Sequence, residues 1–150
     1  MRIIVTGGFG FIGSEFVNTI GRKNPTAEIV VVDKMTYAAN PNNIKTKVTL
    51  IQKDICEVTV EDLGEYDFLV HFAAESHVDN SFISPHSFSL TNTVGAHAFL
   101  LKCIENKVKK IIHISSDEIY GEKLLGKCTE RQKIEPTNPY SASKAAAEIF

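Results

Sequence analysis

Short apolar runs alternate with helical segments along this chain, and the alternation restricts its fold more than any other feature. Five runs have the length and β-branched content of strands: RIIVTG, AEIVVVD, KVTLIQ, EYDFLVHFA and VKKIIHIS. Helices are predicted from Phe11 to about Lys23, from about Pro85 to Asn106, and from Pro139 onward. Strands that alternate with helices favour an α/β fold with a doubly wound parallel sheet and right-handed crossovers.

Composition and charge argue against several classes of function. The 150 residues suffice for one domain, and a net charge of −2 provides no basic surface for nucleic acid. No apolar run approaches the roughly 20 residues of a membrane span, and the N-terminus lacks the pattern of a secretion signal. The three cysteines are widely spaced, which favours reduced thiols over a zinc site. We therefore expect a cytoplasmic protein with no metal and no nucleic-acid or membrane partner.

The helical segment between the fourth and fifth strands is expected to bury one apolar side. The residues assigned to that side are Phe88, Leu90, Val94, Ala98, Leu101 and Ile104. The last helix is still in progress at Phe150, with no glycine, asparagine or proline to end it. We therefore expect a piece of a longer protein, truncated after about the fifth strand and the start of the following helix. The fifth strand would then be an exposed apolar edge.

The segment TGGFGFIGS follows the first strand and opens the first helix. Its Gly7, Gly10 and Gly13 suit a tight turn, a close approach of the backbone to a pyrophosphate, and packing of helix against strand. Asp33 ends the second strand, 20 residues beyond Gly13, where an acid binds the ribose of adenosine. A plain turn and a loop acid are the alternatives. Together the two features predict a Rossmann dinucleotide-binding domain over residues 1–150.

The identity of the dinucleotide depends on the charges around Asp33. A carboxylate there repels a 2′-phosphate and favours NAD over NADP, although the neighbouring Lys34 weakens that preference. Asp54, after the third strand, could reach the adenine edge or could be a solvated acid. The two alanines of HFAAES leave room for a flat ligand at the end of the fourth strand, but tight packing of helix on sheet explains them equally well.

The segment PYSASK places Tyr140 and Lys144 four residues apart, on one face of a helix. A phenol ionises at about pH 10 and is a poor base at neutral pH, but an adjacent ammonium favours the phenolate. A surface pair is the alternative for an isolated Y-x-x-x-K pattern. Because the pair follows a predicted dinucleotide-binding fold, and Ser116 ends the fifth strand, we interpret the pair as a catalytic base.

Two acids, Asp117 and Glu118, follow Ser116 in the segment HISSDEIYG. Adjacent acids in a turn are ordinarily solvated. This strand end lies at the carboxyl edge of the predicted sheet, where such folds bind ligands. A catalytic role is therefore the competing interpretation.

These motifs together resemble the extended short-chain dehydrogenases/reductases, and within them the nucleotide-sugar 4,6-dehydratases, closest to those that act on dTDP-glucose. The blocks that carry the resemblance are VDKMTYAANPNNI, KDI, HFAAESHVDNS, HISSDEIYGE and NPYSASKAAAE. The resemblance runs from Met1 to Phe150 and implies the N-terminal half of such an enzyme. Two positions depart from it, because Ser116 stands where threonine is usual and Asn80 where bacterial members carry arginine. The second departure leaves the nucleotide open between dTDP and UDP.

The resemblance implies three steps on one bound NAD. Tyr140, assisted by Lys144, takes the proton of the sugar 4-hydroxyl while C4 is oxidised, and Ser116 binds that oxygen. Glu118 then removes the C5 proton and Asp117 protonates the leaving C6 hydroxyl. Return of the hydride to C6 gives a 4-keto-6-deoxy sugar. An epimerase on the same fold needs no such acid pair.

The resemblance also implies contacts to the cofactor and the substrate. The cofactor contacts are Gly7, Gly10, Phe11, Ile12, Gly13, Asp33, Lys34, Thr36, Asp54, Ile55, Phe72, Ala73, Ala74, Glu75, Thr91, Tyr140 and Lys144. Ser76 and Ser116 are expected at the nucleotide-sugar substrate, and a homodimer is expected for the full-length form. Two alternative activities are compatible with these residues, that of a UDP-glucose 4,6-dehydratase and that of a related nucleotide-sugar epimerase or dehydratase, and neither is excluded. An inactive NAD-binding fragment is a third alternative, since the sugar-nucleotide pocket is expected mostly beyond Phe150.

Overall fold

A computed structural model describes all 150 residues and contains one sheet of five parallel strands. The strands are β1 Arg2–Thr6, β2 Glu28–Val32, β3 Thr49–Ile51, β4 Phe68–His71 and β5 Lys110–His113. They lie in the order β3-β2-β1-β4-β5, and every neighbouring pair is parallel. The predicted α/β class, the parallel sheet, the five strands and the position of the fifth strand at an edge are confirmed.

Six α-helices follow these strands along the chain. They are α1 Phe11–Lys23, α2 Val60–Leu63, α3 Val78–Ile83, α4 Pro85–Phe88, α5 Ala96–Glu105 and α6 Pro139–Ile149. A π-helical segment, Ser89–Gly95, joins α4 to α5, and short 3₁₀ helices occupy Pro41–Asn43 and Asp117–Tyr120. None of these helices combines the length and the apolar character that crossing a membrane requires.

The chain divides into two compact units. The first comprises Met1–Ala73 and Ala98–Ile114 and contains the whole sheet, and the second comprises Ala74–His97 and Ser115–Phe150. The second unit holds α3, α4, the π-helical segment and α6. A single NAD-binding domain over residues 1–150 stays a prediction.

Alternate residues of the central strands point to opposite faces of the sheet, as the period of a strand requires. On one face, Ile4 and Leu69 pack with Phe99 of α5. On the other face, Val5 packs with Val17 of α1. Burial on both faces explains why β1 and β2 are continuous apolar runs instead of alternating ones.

The strand order reverses at β1, which pairs with β2 on one side and with β4 on the other. β1 ends at Thr6 and β4 ends at His71, and these two residues are register partners. The Thr6 hydroxyl lies 2.7 Å from His71 Nδ1 and accepts a hydrogen bond from the N–H of Ala73. The carboxyl ends of β1 and β4 are thus fixed at the topological switch point, where open α/β sheets bind ligands.

The buried side predicted for residues 85–106 is wrong at most positions. Phe88 is buried and Ala98 is half-buried, as expected. The others are 45% to 59% exposed: Leu90, Val94, Leu101 and Ile104. The buried side instead includes Asn92, whose amide accepts from the N–H of Glu75 and donates to the carbonyl of Glu75. A polar side chain with both partners can be buried at little cost, and an apolar pattern does not detect it.

Substitution of Gly13 by alanine is expected to destabilise the fold, because its Cβ would lie 2.2 Å from the carbonyl oxygen of Gly7. Backbone atoms cannot move aside cheaply, so we expect the free energy of unfolding to fall by about 2 to 4 kcal/mol. Gly10→Ala is the matched control, since its Cβ would lie 3.3 Å from the same oxygen. Urea unfolding followed by circular dichroism compares the two variants. Equal stability would contradict the prediction.

Candidate active site

Backbone contacts close the turn between β1 and α1. Gly7 has a φ of +65°, and a Cβ there would lie 2.7 Å from the backbone nitrogen of Ala73. The N–H of Gly10 donates to the carbonyl of Gly7 at 3.1 Å. α1 then begins without a side-chain cap, so its first N–H groups are available to an anionic ligand at the carboxyl end of the sheet.

Asp33 lies beside this turn, at the carboxyl end of β2, and is 8% exposed. Its Oδ2 accepts a hydrogen bond from the N–H of Phe9, at 2.9 Å, and its Oδ1 accepts from the N–H of Met35, at 2.8 Å. The carboxylate is therefore held in one orientation against the glycine turn. Its predicted contact with a ribose stays a prediction.

Two of the predicted cofactor residues, Lys34 and Asp54, form an ion pair. Lys34 Nζ lies 2.7 Å from Asp54 Oδ2, and Asp54 Oδ1 accepts from the N–H of Cys56. Burial alone would raise the pKa of Asp54, but the hydrogen bonds from Lys34 and Cys56 outweigh it and lower that pKa. The same bond to Asp54 raises the pKa of Lys34. The positive charge next to Asp33 is therefore already engaged by a carboxylate.

The other residues predicted to contact cofactor or substrate differ in exposure. Half-buried members are Phe72, Ala73, Ala74, Glu75 and Thr91, and exposed members are Phe11, Ile12, Thr36 and Ser76. Ile55 is 4% exposed, and its side chain packs in the core with Val58 and Leu63. A contact from Ile55 to a cofactor would therefore have to use its backbone.

In the second unit, the acid pair begins a 3₁₀ helix that Ser116 caps. Ser116 Oγ accepts a hydrogen bond from the N–H of Glu118, at 3.2 Å. Asp117 is exposed, whereas Glu118 is half-buried and its Oε2 accepts from Asn138 Nδ2 at 3.0 Å. Although Asp117 and Glu118 are adjacent in sequence, their carboxylates occupy different environments.

Helix α6 carries the predicted base. Tyr140 is half-buried, and its ring meets the ring of Phe88 edge-on, with centroids 6.3 Å apart at 86°. Lys144 is 4% exposed. Burial lowers the pKa of Lys144 to about 8, and the nearby carboxylate of Glu148 opposes that shift.

Two asparagines of the second unit were not predicted as site residues. Asn92 Nδ2 donates to Ser143 Oγ, which in turn donates to the carbonyl of Tyr140. Asn138 is recognisable in the sequence as a helix cap, because it precedes a proline at the start of a helix. Its contact with Glu118, 20 residues away in the chain, has no sequence signal.

Replacement of Lys144 by methionine is expected to stabilise the protein at neutral pH. The pKa of Lys144 is 10.5 in the unfolded chain and about 8 in the folded chain. The charged side chain therefore destabilises the fold below about pH 8. The cost is at most about 3 kcal/mol, and it fades as the pH rises to about 10. Thermal unfolding at several pH values measures the gain.

The matched control for this substitution is Lys133→Met, which alters an exposed lysine in a loop. Its effect on the melting temperature should be small and independent of pH over the same interval. A stabilisation by Lys144→Met that does not shrink on going to pH 10 would contradict the assignment of a buried, destabilising ammonium.

Comparisons with known proteins extend over nearly the whole chain. Residues 4–150 match a family model described as GDP-mannose 4,6 dehydratase. The dTDP-glucose 4,6-dehydratase of Mycobacterium tuberculosis is 39% identical, and the alignment covers 100% of this chain and 47% of that protein. The crystal structure of DesIV, a dTDP-glucose 4,6-dehydratase from Streptomyces venezuelae with NAD bound, has a TM-score of 0.93 at 38% identity and covers 99% of this chain and 50% of that one.

An epimerase is also among the structural neighbours. The UDP-N-acetylglucosamine 4-epimerase from Methanobrevibacter ruminantium has a TM-score of 0.90 at 28% identity, covering 99% of this chain and 48% of that one. The chain thus spans about half the length of the proteins that it matches. Because the family model matches residues 4–150, the chain belongs to the GDP-mannose 4,6-dehydratase family of extended short-chain dehydrogenases/reductases.

Proposed function

We propose that the chain supplies the NAD-binding and proton-transfer residues of a nucleotide-sugar 4,6-dehydratase that acts on dTDP-glucose. The observation that supports this most directly is in the second unit, where the acids Asp117 and Glu118 are linked to the helix of Tyr140 and Lys144. The link is the hydrogen bond from Asn138 Nδ2 to Glu118 Oε2, at 3.0 Å. A base for oxidation and an acid pair for elimination are thereby combined in one compact unit.

NAD is the cofactor that the first unit fits. The glycines of the turn carry no side chains that would obstruct a pyrophosphate at the open N–H groups of α1. Asp33 is fixed beside that turn, where its carboxylate would accept ribose hydroxyls and repel a 2′-phosphate. Lys34, which weakened the preference for NAD in the sequence, is paired with Asp54. When bound, NAD would supply the hydride acceptor for C4 and the hydride donor for C6, and the proton that Glu118 takes from C5 would return to C5 with that hydride.

Tyr140, Lys144 and Ser116 act at the sugar 4-hydroxyl. Tyr140 takes the hydroxyl proton, and the buried ammonium of Lys144 stabilises the phenolate that accepts it. Ser116 Oγ accepts a hydrogen bond from the N–H of Glu118, so its own proton remains to be donated to the 4-oxygen.

Elimination of water then requires the acid pair. Oxidation at C4 makes the C5 proton acidic, and Glu118 takes that proton. The electron pair of the broken C5–H bond forms the C5–C6 double bond. Asp117 protonates the C6 hydroxyl, which departs as water. Opposite roles for neighbouring acids require different environments, and here Glu118 is half-buried and hydrogen-bonded whereas Asp117 is exposed. The assignment of the base to Glu118 and of the acid to Asp117 follows the resemblance to the dehydratases.

A nucleotide-sugar 4-epimerase is the second candidate, because such an enzyme shares this fold. It would use Tyr140 and Lys144 but would need neither Asp117 nor Glu118. UDP-glucose is the alternative substrate of a dehydratase, since Asn80, exposed on α3, departs from the residue usual in bacterial dTDP-glucose enzymes. An NAD-binding protein without turnover is the remaining alternative.

The product of the complete gene, supplied with NAD and either dTDP-glucose or UDP-glucose, tests these candidates. We expect a 4-keto-6-deoxy sugar from dTDP-glucose, identified by mass spectrometry as the loss of one water. The variant Glu118→Gln should reduce elimination by about 100-fold or more, because it removes the general base. It should still form NADH, since the isosteric amide leaves the groups that act at C4 in place.

Other outcomes separate the alternatives. A C4 epimer without loss of water would assign the epimerase, and turnover of UDP-glucose alone would change the nucleotide. NAD binding measured by calorimetry, with no product from either sugar, would leave only a binding role. Unchanged elimination in Glu118→Gln would remove this residue from the mechanism.

We also propose that the full-length protein is a homodimer. Leu101 and Ile104 lie three residues apart on α5 and are 45% and 59% exposed, so they form an apolar stripe that a second copy could cover. Sedimentation of the complete gene product should give a dimer, and Leu101→Lys with Ile104→Lys should give a monomer. Glu105→Lys on the same helix is the control and should stay dimeric. A monomeric parent protein would contradict the proposal.

A further inference from the structure

The side chain of Asn138 makes two contacts of different kind. Its Oδ1 accepts a hydrogen bond from the N–H of Ser141, at 2.8 Å, and so caps the N-terminus of α6. Its Nδ2 donates to Glu118 Oε2, at 3.0 Å. One planar amide therefore orients both the start of the helix that carries Tyr140 and the carboxylate of Glu118.

We propose that Asn138 is a positioning residue for proton removal at C5: it holds Glu118 Oε2 and leaves Oε1 to take the proton. This inference rests on the proposed function, in which Glu118 is the base. The residue touches neither substrate nor cofactor in this role, and it acts only through the carboxylate that it orients.

Backbone hydrogen bonds fix the segment around Glu118, the residue that accepts the bond from Asn138. The N–H of Glu118 donates to Ser116 Oγ, and the carbonyl of Glu118 accepts from the N–H of Gly121. The N–H of Glu135, in the segment that leads to α6, donates to the carbonyl of Ile119 at 2.9 Å. The backbone is thus fixed on both sides of Glu118. Because a glutamate side chain still has three rotatable bonds, the Asn138 bond is needed to select one orientation.

Capping alone does not require an asparagine at this position. Serine and aspartate cap helices about as well, because each offers an oxygen to the first N–H groups. The contact with Glu118 requires in addition a donor on the same side chain that reaches the carboxylate while the capping oxygen stays at the helix N-terminus. Among the good capping residues, only asparagine provides an acceptor and an amide donor together. Both requirements are met at residue 138 and at no cost to the cap.

Two cap-preserving variants of the complete gene product separate the two roles. In Asn138→Ser the cap stays, and the amide nitrogen that donates to Glu118 is lost because the shorter side chain ends at the capping hydroxyl. In Asn138→Asp the cap stays and a second carboxylate faces Glu118. We expect elimination to fall about tenfold in the first variant and further in the second, because a hydrogen bond to a charged group is lost and then replaced by repulsion.

The reaction step that slows is the decisive readout. C4 oxidation is followed by the absorbance of NADH in a single turnover with dTDP-glucose, and C5 proton removal by uptake of solvent deuterium at C5. We expect the oxidation rate to match the parent protein in both variants while deuterium uptake slows. The melting temperature should fall only by the few degrees that loss of one hydrogen bond costs, and further in Asn138→Asp. The double variant Asn138→Ser with Glu118→Gln should be no slower than Glu118→Gln alone, since a positioning residue has nothing left to orient.

The controls distinguish failure of this inference from failure of the proposed function. If Glu118→Gln blocks elimination while Asn138→Ser eliminates at the parental rate, the positioning role is overturned and only the cap remains. Equal slowing of oxidation and elimination in Asn138→Ser overturns it as well, because that is the result of a misplaced helix. If Glu118→Gln itself eliminates normally, the assignment of the base is wrong, and the inference falls with it.

Discussion

The contact between the backbones of Gly13 and Gly7 determines how α1 enters the fold, and the rest of the first unit depends on it. A single methyl group at Gly13 would lie 2.2 Å from a carbonyl oxygen, so the helix is closer to β1 than any side chain would permit. This approach brings Val17 into the core beside Val5 and Val31. Full burial of one such side chain contributes roughly 1.5 to 3 kcal/mol. The same approach directs the open end of α1 to the carboxyl edge of the sheet.

Polar contacts organise the second unit in place of a sheet. Its helices α3 and α4 have 6 and 4 residues, which is too short for stability of their own. Asn92 connects the segment at Glu75 to Ser143 of α6, and Asn138 connects Glu118 to the start of the same helix. A buried amide such as that of Asn92 is costly unless every donor and acceptor is paired, so it tolerates few alternative arrangements. The unit therefore holds its acids and its tyrosine with little apolar core.

The sequence was informative where one residue type has one physical consequence. Apolar runs predicted all five strands, and those of β1 and β2 are continuous because the sheet is buried on both faces there. The glycine spacing predicted the turn that Gly7 and Gly13 form. The sequence was misleading on the segment 85–106, where the apolar spacing indicated that Leu101 is buried. In the structure Leu101 is exposed and Asn92 is buried. The sequence could not reveal the pairing of Lys34 with Asp54, nor the bond from Asn138 to Glu118. Such contacts join residues 20 positions apart, and their distance is set by the packed chain and not by local pattern.

The two hydrogen bonds that Asp33 accepts restrict how a protein of this kind could evolve. An enzyme that changes its preference from NAD to NADP must remove the carboxylate that repels the 2′-phosphate. Here that carboxylate also binds the N–H groups of Phe9 and Met35, and even its replacement by an amide would leave one of them without its partner. A mutant with the new preference would therefore begin with a weakened glycine turn and would need a second, compensating substitution to persist. Because one carboxylate both favours NAD and stabilises the glycine turn, the cofactor preference of this chain can change only through coupled mutations.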